Sequence, residues 1–197
     1  MIAAAGLIYA GGESSRFGAD KANALLQGQR LIDHVADRIA PQVAALAVAG
    51  SVRLAGADGL DDDGAHIGKG PLAGLLAGLK WASDLPNIKW LVTTPCDVPL
   101  LPKNLVALLT QNLKDKPTVL NVDERWQTGC ALWPTSACKV IEGHLIAGED
   151  LSLHSALKHL HAETLDVEAT VLDGAFTNIN SQDDLIQLER KLLKSHG

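Results

Sequence analysis

The feature that most narrows the possible folds is a rhythm in which short aliphatic runs alternate with segments whose apolar residues recur at helical spacing. Ala4–Ala10, Ala45–Ala49, Ile88–Thr94, Thr118–Val122, Cys130–Trp133 and Ala169–Leu172 read as strands. Between them, Leu31–Ile39, Leu72–Ala82, Pro102–Leu113, Thr135–Leu145, Leu153–His161 and Leu185–Leu193 read as helices. Alternation of this kind predicts an α/β fold whose largely parallel sheet is covered on both faces. The last helix is the best marked, because Ser181 followed by Asp184 resembles a capping box and Leu185, Leu188 and Leu192 form one face. Pro102 suits the first turn of its helix. The stretch from Ser51 to Gly70, rich in Gly and Asp, is the least regular, and reads as a surface loop or part of a site.

A chain of 197 residues with 47% hydrophobic and 20% charged side chains can fill one core, and no repeat or linker divides it, so residues 1–197 are expected to form one domain. The balance of 17 basic against 23 acidic residues leaves a net charge of −6. That excludes a protein whose affinity comes from neutralising many nucleic-acid phosphates, and 4% aromatic residues argue against a stacking platform for single strands. Any phosphate site must therefore be local. Three cysteines, Cys96, Cys130 and Cys138, without CxxC spacing fit a reducing, cytoplasmic setting better than a disulfide framework or a structural zinc. The apolar run Ile2–Ala10 lacks a basic flank and falls far short of the roughly 20 residues that span a bilayer, so no membrane partner is expected.

The first strand runs into Ala10-Gly11-Gly12-Glu13-Ser14-Ser15-Arg16-Phe17-Gly18-Ala19-Asp20-Lys21. Glycines after a buried strand leave backbone N–H groups open to the close approach of a phosphate. The spacing is neither GxGxxG nor GxxxxGK[ST], so the dinucleotide and Walker patterns both fail. An ordinary strand-to-helix turn with solvated charges is the other reading of this loop.

Tyr9-Ala-Gly-Gly-x-Ser-x-Arg-Phe-Gly-x-Asp-Lys21 resembles the N-terminal signature of nucleotidyltransferases acting on sugar and pterin phosphates. Three further segments extend the resemblance, in order, to the molybdenum cofactor guanylyltransferase family over nearly the whole chain. They are Gly70-Pro71-Leu72-Ala73-Gly74, the run from Thr94 through Asp97 to Pro102, and Phe176-Thr177-Asn178-Ile179-Asn180. The resemblance implies a Rossmann-like, three-layer α/β nucleotidyltransferase fold with a mostly parallel mixed sheet. It also implies transfer of GMP from GTP to the phosphate of molybdopterin with release of pyrophosphate. Tyr9, Ala10, Gly11 and Gly12 would form the triphosphate loop, with Arg16 and Lys21 supplying catalytic positive charge. Asp97 would be a catalytic residue that holds Mg²⁺, Asp63 would contact guanine, and Asn178 and Asn180 would lie on the acceptor side. Transient contacts with proteins that make or receive the cofactor follow from the same likeness.

Physical chemistry supports several of these assignments. Transfer at an α-phosphorus develops charge on equatorial oxygens and on departing pyrophosphate, which fixed cations and Mg²⁺ offset. Asp97 follows an aliphatic strand and so sits at a carboxyl end, where open α/β sheets bind ligands. Mg²⁺ needs one or two carboxylates besides phosphate oxygens and water. An Asx turn is the alternative reading of Asp97. Guanine offers N1–H and a 2-amino group to a carboxylate such as Asp63, whereas Asp61-Asp62-Asp63 is by default a solvated run. Ala10-Gly11-Gly12 replaces the Ala-Ala-Gly of related cytidylyltransferases, and the missing Cβ favours GTP over CTP.

Two departures from the family pattern stand out. Ala49-Gly50-Ser51 occupies the place of an asparagine that touches the nucleoside. Gly148-Glu149-Asp150-Leu151-Ser152-Leu153-His154 replaces a segment where arginines face the phosphorylated pterin, so His154, Lys158 or His159 would have to offset two acidic residues. The alternatives are a related transferase using CTP or another phosphorylated acceptor, and a non-catalytic nucleotide-binding homologue.

Overall fold

A computed structural model describes residues 2–11, 21–61, 70–148, 150–168 and 174–195. The predicted strand Ala169–Leu172 lies outside the described residues. The strands are β1 (Ala4–Tyr9), β2 (Leu25–Leu26), β3 (Gln29–Arg30), β4 (Ala45–Ala49), β5 (Asp58–Leu60), β6 (Trp90–Pro95), β7 (Thr118–Val122), β8 (Arg125–Pro134) and β9 (Glu163–Val167). The helices are α1 (Leu31–Ile39), α2 (Pro71–Asp84), α3 (Leu105–Leu109), α4 (Cys138–Ala147), α5 (Leu153–His159) and α6 (Gln182–Ser195).

Seven strands form one sheet in the order β5-β4-β1-β6-β8-β7-β9. β8 is antiparallel to β6 and β7, while every other pairing is parallel. The sheet is thus mixed and mostly parallel, as expected. Alternation along β1 sends Ala4 and Ile8 to one face and Ala5, Leu7 and Tyr9 to the other. The first face packs on α1 and α3, through Ile32, Val35, Leu105 and Leu109 among others. The second packs on α2, α4 and α5, through Leu72, Leu76, Ile141 and Leu157. Helix α2 lies so close that a Cβ on Gly78 would stand 2.6 Å from Leu7 Cδ2.

A smaller core places the C-terminal helix. Ile179, Leu185 and Leu188 pack on Leu26 and Leu31, tying α6 to the β2–β3 hairpin. That hairpin turns through Gln27 and Gly28, both at positive φ, as a tight two-residue connection requires. Gln27 N–H also donates to Glu189 Oε1 at 2.9 Å. The expected N-terminal cap of α6 is present. Ser181 Oγ accepts the Asp184 N–H, and the Asp184 carboxylate reaches back to the N–H of Asn180.

Several elements differ from their sequence-based limits. Helix α3 is shorter than Pro102–Leu113, and Pro102 precedes it, its carbonyl accepting the Leu105 N–H in a turn. The Gln42 side chain caps α3 from a distance, accepting the Val106 N–H at 2.9 Å. Thr135–Leu145 divides into a 3-10 turn over Thr135–Ala137 and α4, which ends on left-handed Gly148. β5 and β9 are edge strands that the apolar pattern does not reveal. β5 is three residues of polar and glycine character, and β9 alternates half-buried with exposed positions. The irregular stretch after Ser51 therefore contains a strand.

Candidate active site

Strand order reverses between β1 and β6, since β4 lies to one side of β1 and β6 to the other. At such a switch point the loops leaving adjacent carboxyl ends part and open a crevice. Here the crevice is a cleft of about 460 Å³ whose lining includes Ala10, Gly11, Lys21, Asp97, Trp126 and Asn178.

The centre of the cleft is an ionic cluster. Lys21 Nζ donates to Asp97 Oδ2 at 2.6 Å and to Asn180 Oδ1 at 2.8 Å. Both charged side chains are largely covered, with 17% of Lys21 and 20% of Asp97 exposed. Three separate parts of the fold bring them together. Asp97 lies just past β6, Lys21 opens the 3-10 turn over Lys21–Asn23, and Asn180 precedes the cap of α6. Ile179 N–H donates to the Asp97 carbonyl at 2.9 Å, which fixes the Asn178–Asn180 segment to the end of β6 independently of any side chain. Asp97 is therefore more than an Asx turn, and both asparagines stand at the cleft or its central cluster.

The other carboxylate oxygen, Asp97 Oδ1, is buried without a hydrogen-bond partner among the described residues. An unsatisfied carboxylate oxygen beside a phosphate-sized cleft fits a hard divalent cation. Among the described residues no cluster of three or more His, Cys, Asp or Glu is arranged to hold a metal. A cation at Asp97 would thus complete its shell with phosphate oxygens and water, the pattern Mg²⁺ favours.

Of the four residues expected to form the triphosphate loop, Tyr9, Ala10 and Gly11 are described. Tyr9 ends β1 instead of opening the loop. Its carbonyl accepts the Cys96 N–H, and burial pushes its hydroxyl above the ordinary range. Ala10 lines the cleft, but its N–H is committed to the Ala49 carbonyl at 2.8 Å. Gly11 is the first residue of the loop proper. Gly12, Arg16, Asp63 and Glu149 lie outside the described residues.

Gly50, in the segment that departs from the family pattern, buttresses this loop. At φ +122° it presses so closely on the strand end that a Cβ would stand 2.7 Å from the Ala10 carbonyl oxygen and 2.9 Å from Gly11 N. The second departure also has a local explanation. Asp150 Oδ1 accepts the Ser152 N–H at 3.0 Å, and these bonds to Ser152 hold its carboxyl below the usual range. Asp150 thus serves the turn into α5. Among the described residues, His154 and His159 belong to no group arranged to hold a metal. The His159 ring meets that of His144 edge-on, and the His154 ring lies tilted against Trp126.

Sequence reasoning missed the wall made by Trp126, Gln127, Thr128 and Gly129. The predicted strand Cys130–Trp133 starts too late, because β8 is irregular at this point. Val119 pairs with Ala131 whereas Asn121 pairs with Trp126, so β8 carries extra residues that bulge at the cleft. Gly129 is the signal that was available. A Cβ there would meet the Pro95 ring at 3.2 Å, so glycine lets the bulge close on the end of β6. Cys130 is fully buried, and burial with the nearby Asp97 charge pushes its thiol upward, which removes it as a nucleophile.

Comparison with known proteins agrees with this geometry. Residues 6–165 match the model of the MobA-like NTP transferase domain. A protein of Cereibacter sphaeroides called molybdenum cofactor guanylyltransferase is 36% identical over 193 residues, 96% of this chain and 97% of its own length. One of the same name from Rhizobium leguminosarum bv. trifolii is 34% identical, covering 95% and 92%. Among solved structures, molybdopterin-guanine dinucleotide biosynthesis protein A of Archaeoglobus fulgidus superposes with a TM-score of 0.74 at 22% identity, covering 96% and 99%. The 4-diphosphocytidyl-2C-methyl-D-erythritol synthase of Anaerococcus prevotii shares the fold at a TM-score of 0.73 and 11% identity, covering 98% and 96%. With a cleft at the β1–β6 switch point and homology along almost its full length, this chain is a member of the MobA-like NTP transferase family, alongside the molybdenum cofactor guanylyltransferases.

Proposed function

We propose that this protein transfers GMP from GTP to the phosphate of molybdopterin and releases pyrophosphate. The observation that carries the reading is the Lys21–Asp97–Asn180 cluster at the cleft that Gly11 lines, in a chain 36% identical to a molybdenum cofactor guanylyltransferase. Mg²⁺ held by Asp97 and the triphosphate would neutralise charge on the phosphates.

The chain's own residues account for the remaining requirements. The loop from Gly11 through Gly12 orients the triphosphate with backbone N–H groups, and Lys21, with Arg16 in the same loop, supplies positive charge to the developing pyrophosphate. Asp63 reads the guanine edge, and Asn178 and Asn180 face the incoming phosphate. Tyr9 and Ala10 shape the wall below the nucleotide. The acceptor phosphate is itself anionic, so it needs no strong general base, and positioning is the main catalytic demand. A cytoplasmic setting fits three cysteines that are not joined in disulfides. Transient contacts with proteins that supply or take up the cofactor belong to the same reading.

The test is pyrophosphate release with GTP, CTP, ATP or UTP, each with and without molybdopterin, at saturating Mg²⁺ and after chelation. Release that needs GTP, molybdopterin and Mg²⁺ together is expected. Release with CTP in place of GTP reassigns the donor, and binding of GTP without release in any combination rejects the enzyme.

A further inference from the structure

The cleft is ordered along the sheet. The glycine loop leaves β1, Asp97 leaves β6, and the opposite wall is built by β8, in that spatial sequence. A phosphoryl transfer with attacking and leaving oxygens in line needs donor and acceptor on opposite sides of the reacting phosphorus. With the donor on the β1 side and charge at β6, the β8 wall is left for the acceptor.

Trp126 is the large planar group of that wall. It is half-buried and packs against the core under α5. Its ring lies 5.1 Å from that of His154, tilted by 49°, within the range of favourable ring pairs. Leu153, next to His154, lines the same cleft. Trp126 pairs with Asn121, directly before the bulge in β8, and lines the same cleft as Asp97. Asp150, engaged with Ser152, is not among the residues that line the cleft. Asp150 is therefore turned to a structural task, and Trp126 contributes an aromatic side chain to the cleft.

We infer that Trp126 is the stacking platform for the planar fused heterocycle of the acceptor, and that His154 is a positioning residue that holds the indole in its orientation. The inference rests on the proposed guanylyl transfer for the identity of the acceptor, a phosphorylated pterin. Its physical content is narrower. A flat π-system of pterin type binds on the β8 side, separately from the nucleotide, and much of its affinity comes from one indole. Stacking of a heterocyclic base on an aromatic side chain contributes enough that its removal weakens binding by an order of magnitude or more.

The experiment follows the fluorescence of a simple 2-amino-4-oxopteridine, titrated with full-length protein at saturating GTP, while calorimetry measures GTP affinity on separate, nucleotide-free aliquots of the same preparations. Wild-type protein should quench the pterin. Trp126→Leu should weaken pterin binding about tenfold or more and leave GTP affinity within twofold, and Trp126→Phe should retain most of the pterin affinity. His154→Ala should lose part of it, with recovery in His154→Phe, which restores a ring beside the indole. Unchanged pterin binding in Trp126→Leu overturns the proposal, as does no quenching by wild type. A tenfold loss of GTP affinity in Trp126→Leu, with pterin binding retained, also overturns it by assigning the indole to guanine. The GTP measurement reports folding of each variant. Failure of pyrophosphate release with molybdopterin would reject the transferase reading but leave the pterin titration to decide the platform.

Discussion

Lys21 Nζ lies 2.6 Å from Asp97 Oδ2, although 76 residues separate the two in the chain. Each charge is the other's counter-ion, and Asn180 shares the ammonium group. On the proposed function, a nucleotide would meet a site whose charges are already paired and held in place.

Removing either charge should separate stability from turnover. Lys21→Met leaves the largely covered Asp97 carboxylate without its cation, and a loss of about 1–2 kcal/mol is expected, less than for a fully buried pair. Adding Asp97→Asn to Lys21→Met should recover part of that loss in thermal melts. Turnover should fall by about 10²-fold or more in either single variant, because neither the charge on pyrophosphate nor the carboxylate can be replaced by the other. Near-normal pyrophosphate release from Asp97→Asn would remove that residue from the site.

Gly50→Ala should damage nucleotide binding from outside the loop. The new Cβ meets backbone atoms of Ala10 and Gly11, which cannot swing aside, and the backbone at φ +122° disfavours any side chain. A GTP affinity at least about tenfold weaker is expected, with a lowered melting temperature. Calorimetry with GTP and a thermal melt together test both parts.

Gly78→Ala should destabilise without touching the site. Alanine is worth about 1 kcal/mol over glycine within a helix, but its methyl would overlap Leu7 Cδ2 at 2.6 Å and crowd Leu91 Cδ2 at 3.1 Å in a filled core. A net loss of about 1–2 kcal/mol in urea unfolding is expected, and a gain would show that the core is looser than its geometry implies.

Ser181→Ala should loosen the link between the last helix and the site. The lost acceptor served the Asp184 N–H, and such caps contribute about 1 kcal/mol. Because Asn180 stands next to this cap and reaches Lys21, KM for the acceptor should rise while the helix remains folded. Thermal melts and steady-state kinetics measure the two effects.

Acid should weaken the β9 edge first. Lys116 and Lys114 hold the Glu163 carboxyl at about 2, below its usual 4.5. The folded value is the lower one, so the stabilisation is fully present above 4.5 and is lost as pH falls toward about 2. Glu163→Gln should flatten the pH dependence of the melting temperature over that window, and an unchanged slope would mean that the ion pairs contribute nothing.

The order of strands and helices was legible because burial on both faces demands continuous aliphatic runs, and α1, β4 and β7 begin and end where their apolar patterns do. The edge strands β5 and β9 were not legible, since an edge needs less apolar cover and its residues read as loop. The strand-end position of Asp97 was likewise visible locally, from the aliphatic run that precedes it.

What local pattern could not supply was distance. Lys21, Asp97 and Asn180 meet because parallel strands point their carboxyl ends the same way, and a small core of Leu26, Leu31, Ile179, Leu185 and Leu188 draws the last helix over the first excursion. Trp126 reaches the cleft through an irregular register with β7, which has no signature in hydrophobic period. The sequence by itself determined which elements form and which residues carry charge or bend the backbone. Only tertiary packing decided which of those charges are paired and which aromatic ring lines the cleft, since both depend on contacts between residues far apart in the chain.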